Sequence, residues 1–153
     1  MNDEPGIPAK LRSLLETFDT IDDMDLRMSM LVSYAGQFRE VPPEVASRPF
    51  PADARVPFCE SEAFVWAIPE PGGSLKLHFA VENPSGVSAR ALSAILEKTI
   101  SGAPAAEIAR ISPDIVSRIF RQNISMGKGM GLMGIVERVR ELASASLRTK
   151  STV

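Results

Sequence analysis

The residue with the clearest chemical potential is Cys59, the single cysteine of the chain, which lies in residues 56–61. A thiolate is a strong nucleophile, and it can carry sulfur or form a covalent intermediate. An isolated cysteine is more often a small buried hydrophobic residue. Here the loop position between Pro57 and Glu60 favours exposure to solvent instead. We therefore predict that any chemistry of this chain depends on an accessible thiol at Cys59.

His78 is the single histidine, so a cysteine–histidine catalytic pair would have to combine it with Cys59. The alternation of residues 75–81 places His78 on the side of a strand opposite the apolar residues, which favours a surface histidine over a catalytic base. A metal site is not predicted either. One cysteine and one histidine are too few for a structural zinc site, and no group of carboxylates has the spacing of metal ligands.

Glycines are concentrated in residues 125–131, where a phosphate-binding loop is one interpretation. The segment lacks the spacing and the Lys-Ser/Thr ending of such a loop, and no buried strand precedes it. We interpret it as a glycine-rich connection into the last helix. Met126, Met130 and Met133 would contribute either core packing or an adaptable apolar surface near the start of that helix.

The composition is that of an ordinary globular domain. Of 153 residues, 44% are hydrophobic and 24% are charged, and the net charge is −2. Because no basic stripe is present, nucleic acid is not expected as a partner. The acidic N-terminus lacks a secretory signal, no stretch is apolar enough to span a membrane, and a single cysteine suits a reducing compartment. We therefore expect a cytoplasmic protein without a membrane partner.

Two N-terminal helices are predicted from apolar residues at helical spacing. The first covers about residues 7–19. The second is capped by Asp22 or Asp23 and ends near Glu40, before two prolines that lack the amide hydrogens a helix needs. Its predicted apolar face consists of Met24, Met28, Leu31, Ala35 and Phe38. A loop with five prolines follows over residues 41–57.

The pattern then changes to that of a β-hairpin. Residues 64–68 are apolar on both faces, and residues 75–81 alternate, with a Pro-Gly-Gly turn signal between them. Further helices are predicted around residues 92–100, from Ser112-Pro113-Asp114 onward, and over residues 132–142. The tail from Ser146 should fray. We predict one α+β domain over residues 1–153, with its core at about residues 7–145.

This order of elements, with a lone thiol at the start of an aromatic-rich strand, resembles the SufE family. SufE and its relative CsdE are sulfur acceptors that serve cysteine desulfurases in iron–sulfur cluster assembly. The resemblance runs from about residue 11 to residue 143. Its best local match is residues 56–66, against a family pattern of Val-x-Gly-Cys-Gln-Ser-x-Val-Trp. The resemblance implies a SufE/IscU-like fold, in which a small antiparallel sheet of two to three strands packs against several helices.

The glycine-rich segment is similar to a second family pattern, Ser-x-x-Arg-x-x-Gly-Met/Leu, with Lys128 at the position of the arginine. Phe58 stands where the family has glycine, and phenylalanine resists backbone angles that glycine adopts freely. Glu60 replaces the glutamine and places a negative charge beside the thiol. Lys128 keeps the positive charge of arginine but lacks its planar fork.

By this resemblance, Cys59 is the thiol that forms a persulfide, and Phe58, Glu60, Ser61 and Lys128 bind the partner or support the site. The partner would be a SufS- or CsdA-like cysteine desulfurase with pyridoxal phosphate, and an iron–sulfur scaffold would act downstream. The chain itself would be a sulfur carrier and activator with no cofactor, not an enzyme. The lack of a second cysteine agrees with this role, because a nearby thiol would expel the bound sulfur as a disulfide is formed.

Two alternatives stay open at this stage. The chain could be an interaction module of the same fold that has lost persulfide chemistry through the changes at Phe58 and Glu60. It could also be a small thiol-dependent enzyme that uses Cys59 and His78, although the predicted orientation of the histidine argues against this.

Overall fold

The computed structural model describes residues 6–121 and 124–151, which form an antiparallel hairpin and a set of α-helices. The helices are α1 (Ala9–Asp19), α2 (Met24–Gly36), α3 (Val87–Ile100), α4 (Ala105–Ile108), α5 (Ile115–Phe120) and α6 (Met126–Ser151). The strands are β1 (Ala63–Pro69) and β2 (Leu75–Val81). The predicted α+β fold is confirmed, with a sheet of two strands in the described ranges.

The start of α2 is fixed by Asp23, one of the two predicted caps. Its carboxylate accepts hydrogen bonds from the backbone N–H groups of Asp25 and Leu26, at 2.9 and 3.2 Å. The predicted apolar face is only partly correct, because Met28 is 42% exposed and Arg27 is fully buried in its place. Arg27 can be buried because backbone carbonyls surround its guanidinium, which side-chain periodicity does not reveal.

The hairpin pairs β1 with β2 in the register Ala63↔Val81 through Pro69↔Leu75. Gly72 and Gly73 form the turn with φ angles of 89° and 91°, which only glycine adopts without strain. The predicted buried side of β2 is confirmed. One face of the sheet packs against α3 and α6 in the main core.

The other face of the hairpin carries a smaller apolar cluster. Phe50, from the proline-rich loop, packs against Phe64 and Trp66 of β1, with ring centroids 5.2 Å apart in each case. This cluster covers the first half of β1 on its second face, so the predicted two-sided burial holds there. The second half of the strand is more exposed.

Two predictions at the C-terminal end, for the glycine-rich segment and for the helix start at residues 112–114, are wrong. The glycine-rich segment is not a connection, because residues from Met126 onward already belong to α6. The segment predicted to fray from Ser146 is helical as far as Ser151, and residues 152–153 lie outside the described ranges. The helix predicted from Ser112-Pro113-Asp114 onward begins later, at Ile115 of α5. The short helix α4 was not predicted.

Candidate functional site

Cys59 lies in a tight loop, residues 57–62, that leads into β1. Phe58 and Glu62 on either side of it have positive φ angles of 58° and 54°. The left-handed conformation costs a non-glycine residue about 1–2 kcal/mol, so other contacts must hold the loop. Asn83 provides two of them: its side chain donates to the carbonyl of Glu60 at 3.1 Å, and its backbone N–H donates to that of Ser61 at 3.1 Å.

The thiol itself is buried, and the predicted solvent exposure of Cys59 is wrong, because only 5% of the residue is accessible. The cause is the close approach of α6. A Cβ atom at Gly131 would lie 3.4 Å from the Cα and 3.5 Å from the Sγ of Cys59. Because glycine has no side chain there, the helix packs directly against the loop. The glycine-rich segment therefore has a packing role.

A cavity of about 170 Å³ adjoins the sulfur. It lies between the cysteine loop, the connection from β2 to α3 and the first turns of α6. Residues that line it include Cys59, Ser61, Asn83, Gly86, Lys128 and Gly131. Glu60, Ser85 and Lys128 also line the cavity and are exposed, so the cavity reaches the protein surface. The buried thiol thus has a route to solvent.

Two helices begin at this cavity. Gly86 precedes α3, and Ser125 caps α6, where its hydroxyl accepts a hydrogen bond from the N–H of Lys128 at 3.3 Å. The N-terminal end of a helix carries a partial positive charge, and the ammonium group of Lys128 adds a full one. Glu60 at the rim opposes them. The positive charges of the two helix starts and of Lys128 thus lie beside the cavity that Cys59 lines.

Gly86 has a steric role in this arrangement. A Cβ atom there would lie 2.9 Å from Cγ1 of Val81 and 3.1 Å from Cβ of Ser61. The β2–α3 connection can therefore approach the cysteine loop only with glycine at this position. Residues 82–86 are not among the site residues predicted from the sequence. A polar turn between a strand and a helix was the signal that could have placed them at the site.

The structure brings together four of the five site residues predicted from the sequence. Cys59, Glu60, Ser61 and Lys128 all line the cavity. Phe58 does not; its side chain points outward and is 99% exposed.

His78 is not brought to the thiol. It pairs with Trp66 across the hairpin, on the face of the smaller cluster, whereas Cys59 packs in the main core. His78 is half-buried, and its partial burial, together with the nearby Lys76, lowers its pKa. It is absent from the described residues that line the cavity.

The described ranges contain neither a group of metal ligands nor a membrane-spanning helix. Across residues 6–121 and 124–151, no three side chains of His, Cys, Asp or Glu are grouped so that they could hold a metal ion. No helix in the same ranges combines the length and the apolar character needed to cross a lipid bilayer.

The site thus belongs to a small α+β protein in which a loop thiol adjoins a cavity between two helix starts. The chain belongs to the SufE family: the family model, described as an Fe-S metabolism associated domain, matches residues 12–143. The resemblance seen in the sequence is thereby confirmed, and the chain belongs to a family associated with iron–sulfur metabolism.

Individual relatives agree with this assignment. An uncharacterised SufE-like protein of Rhizobium etli is 29% identical over 140 residues, which cover 88% of this chain and 90% of that protein. The SufE-like protein 1 of Arabidopsis thaliana, named as chloroplastic/mitochondrial, is 22% identical over 138 residues. That match covers 90% of this chain but only 35% of the plant protein.

The fold is also found in a solved structure. The solution structure of a hypothetical protein from Thermus thermophilus superposes with a TM-score of 0.71 at 24% sequence identity. The match covers 93% of this chain and 98% of the other. At this level of identity, the likeness establishes the fold alone.

Proposed function

We propose that this protein accepts sulfane sulfur from a cysteine desulfurase on Cys59, stimulates that enzyme and passes the sulfur on to iron–sulfur cluster assembly. The observation that carries the proposal is that the single thiol of a SufE-family chain adjoins a surface-connected cavity between two helix starts. The donor would be a pyridoxal-phosphate enzyme of the SufS or CsdA kind, and an iron–sulfur scaffold would be the acceptor. We place the reaction in the cytoplasm, where the thiol stays reduced.

The transfer step is a thiol exchange. The Cys59 thiolate attacks the outer sulfur of the desulfurase persulfide, and the S–S bond of that persulfide breaks. The desulfurase leaves as a thiolate, and Cys59 keeps the outer sulfur as Cys59–S–SH. No oxidant or reductant is consumed. With no second cysteine in the chain, the bound sulfur cannot be lost to an internal disulfide.

Burial of the thiol fits a carrier because it limits contact between the persulfide and other thiols in solution. The donor can reach the sulfur through the mouth of the cavity, where Glu60 and Lys128 are exposed. The Lys128 ammonium and the two helix starts supply positive charge beside the cavity through which the sulfur would be delivered.

Mass spectrometry of the intact protein tests the proposal. After incubation with an active desulfurase and free cysteine, we expect a mass increase of one sulfur atom or more, located at Cys59. Cys59→Ser should remove this increase entirely. An unchanged mass of the wild type, with desulfurase activity shown in the same tube, would contradict the proposal.

The interaction-module alternative gains some support from the 5% exposure of Cys59. Alkylation separates the two functions when it is performed with and without the desulfurase. A carrier should react slowly when alone and lose its ability to accept sulfur once alkylated. A module should bind the desulfurase equally well before and after alkylation and never gain sulfur.

The enzyme alternative finds no support in the geometry, since His78 and Cys59 lie on different faces of the sheet. His78→Ala should therefore leave sulfur loading at Cys59 unchanged.

A further inference from the structure

Phe58 is exposed to a degree that no folding argument explains. Its side chain is 99% accessible, the highest value among the large apolar residues that the structure describes. By contrast, Phe18, Phe79 and Phe120 are each 2% exposed or less. A positive φ of 58° at Phe58 turns its ring outward while the next side chain, the Cys59 thiol, points into the core. The same turn in the family pattern carries glycine, so the ring is a feature of this chain.

The position of Phe58 determines what can cover it. Consecutive Cα atoms are about 3.8 Å apart, and sulfur transfer requires the donor sulfur to come within bonding distance of Cys59. A protein that delivers its persulfide to Cys59 must therefore approach the loop closely enough to contact the neighbouring Phe58. Small sulfur donors have no such requirement, since they can enter the cavity alone.

The surface around the cavity, which the cysteine loop helps to form, has the composition of a protein interface. Met126 and Met130 are 86% and 64% exposed. They lie four residues apart on one face of α6, each next to a glycine that lines the cavity. Methionine side chains adapt to irregular partner surfaces, and the charged Glu60 and Lys128 stand at the rim. An aromatic anchor with apolar neighbours and a charged rim is the usual arrangement of a binding hot spot.

We propose that Phe58 is the docking anchor for the cysteine desulfurase, which receives the ring in an apolar pocket next to its persulfide cysteine. The proposal rests on the proposed function, because it requires a protein that donates sulfur to Cys59. Met126 and Met130 form the flank of the same docking surface. The ring thus sets the affinity for the partner, while the thiol performs the chemistry.

Sulfur loading measured with two donors tests this assignment. One donor is the desulfurase that loads the wild type, varied in concentration with free cysteine in excess. The other is disulfane, HSSH, which transfers one sulfur to the Cys59 thiolate and leaves as HS⁻. The variants are Phe58→Ala, Phe58→Gly and Phe58→Tyr, with Ile68→Ala as the matched control. Ile68 is also an exposed apolar residue, at 40%, but it lies at the far end of β1.

We expect Phe58→Ala and Phe58→Gly to raise the half-saturating desulfurase concentration by about tenfold or more, as loss of a hot-spot aromatic does. Phe58→Tyr and Ile68→Ala should stay near the wild type. All variants should be loaded equally by disulfane, which shows that the thiol and fold are intact.

Several results would overturn the assignment. Wild-type half-saturation in Phe58→Ala would show that the ring is not an anchor, and wild-type behaviour of Phe58→Gly alone would show that only the backbone turn matters. Sedimentation could show a dimeric wild type and a monomeric Phe58→Ala variant. If the half-saturating desulfurase concentration were the same for both, the ring would serve self-association and not docking of the desulfurase. Failure of the desulfurase to load even the wild type would instead reject the proposed function.

Discussion

Arg27 and Cys59 are both buried polar side chains, and their surroundings differ. Arg27, a residue of α2, is fully buried. Its guanidinium donates to the backbone carbonyls of Phe18, Ile21, Arg118 and Ile119. Of the three guanidinium nitrogens of Arg27, Nε has no acceptor among the described residues. The Cys59 thiol has no hydrogen-bond partner among the described residues and adjoins a cavity.

The difference separates a structural group from a reactive one. Arg27 satisfies carbonyls at the C-terminal ends of α1 and α5, which a helix cannot satisfy by itself. It therefore joins two helices, and nothing about it is available to a ligand. Cys59 is held by the packing of its loop, and its sulfur is free to form a new bond. Both residues are buried, so burial does not distinguish them. They differ because the Arg27 guanidinium is hydrogen-bonded and the Cys59 thiol, within the described ranges, is not.

Removal of the arginine gives the largest expected effect. Arg27→Met removes a hydrogen-bond donor from four buried or partly buried carbonyls, and we expect the free energy of unfolding to fall by about 3–5 kcal/mol. Chemical denaturation followed by circular dichroism measures this. The control Arg39→Met, at an 81% exposed arginine with a loose ion pair to Glu97, should cost less than about 1 kcal/mol. An equal loss of unfolding free energy in the two variants would show that Arg27 does not have this structural role.

Gly131→Ala tests the surroundings of Cys59, because it adds a side chain next to the thiol. Gly131→Ala gains about 0.5–1 kcal/mol of helix propensity, but the added methyl group meets the Cys59 loop at 3.4 Å, so the free energy of unfolding should change little. It also places a methyl group 3.5 Å from the Cys59 sulfur. Sulfur loading should slow on the order of tenfold, which corresponds to about 1.4 kcal/mol of crowding by the added sulfur atom.

Gly129→Ala is the matched control, because a Cβ atom there meets only Cδ1 of Ile124, at 3.4 Å, and Gly129 is not among the residues that line the cavity. It lies in the same helix and should keep the wild-type rate of loading. If both variants load like the wild type, the contact between Gly131 and the thiol has no part in sulfur transfer.

Replacement of the thiol tests how weakly its surroundings bind a polar group. Cys59→Ala should lower the free energy of unfolding by about 1 kcal/mol, the cost of a small buried apolar group. Cys59→Ser should cost about 1–2 kcal/mol more, because its hydroxyl prefers partners that the site does not provide. Thermal unfolding of both variants measures the difference. If serine proves as stable as alanine, the cavity already offers a hydrogen bond.

The smallest effect is expected beside Arg27, at the ion pair between Asp19 and Arg118, where an N–O distance is 2.6 Å. The hydrogen bond from Arg118 lowers the pKa of Asp19 below its ordinary value of 3.8. Its contribution to stability is therefore complete above that pH and is lost as the pH falls through the lowered pKa.

Asp19→Asn should cost less than about 1 kcal/mol near neutral pH, since both side chains are partly exposed, and nothing in strong acid. Urea unfolding at several pH values tests this. In an Arg118→Gln background the substitution should have no effect; a cost that persists there would show that Asp19 acts through another group.

Local sequence determined much of the scaffold. Alternating apolar residues predicted β2, a Pro-Gly-Gly signal predicted the hairpin turn, and Asp23 was one of two predicted caps for α2. Each of these depends on residues within a few positions of one another, so the pattern is visible in the chain itself. The single thiol, with its flanking proline and acid, was equally evident.

The tertiary structure decided the state of the two buried polar groups. Arg27 is buried because carbonyls from α1 and α5 converge on it, and the thiol of Cys59 is buried because Gly131 of a distant helix lets α6 approach. The outward ring of Phe58 follows from the same packing. A sequence records which groups are polar, but their burial depends on partners that only the folded chain brings within contact distance.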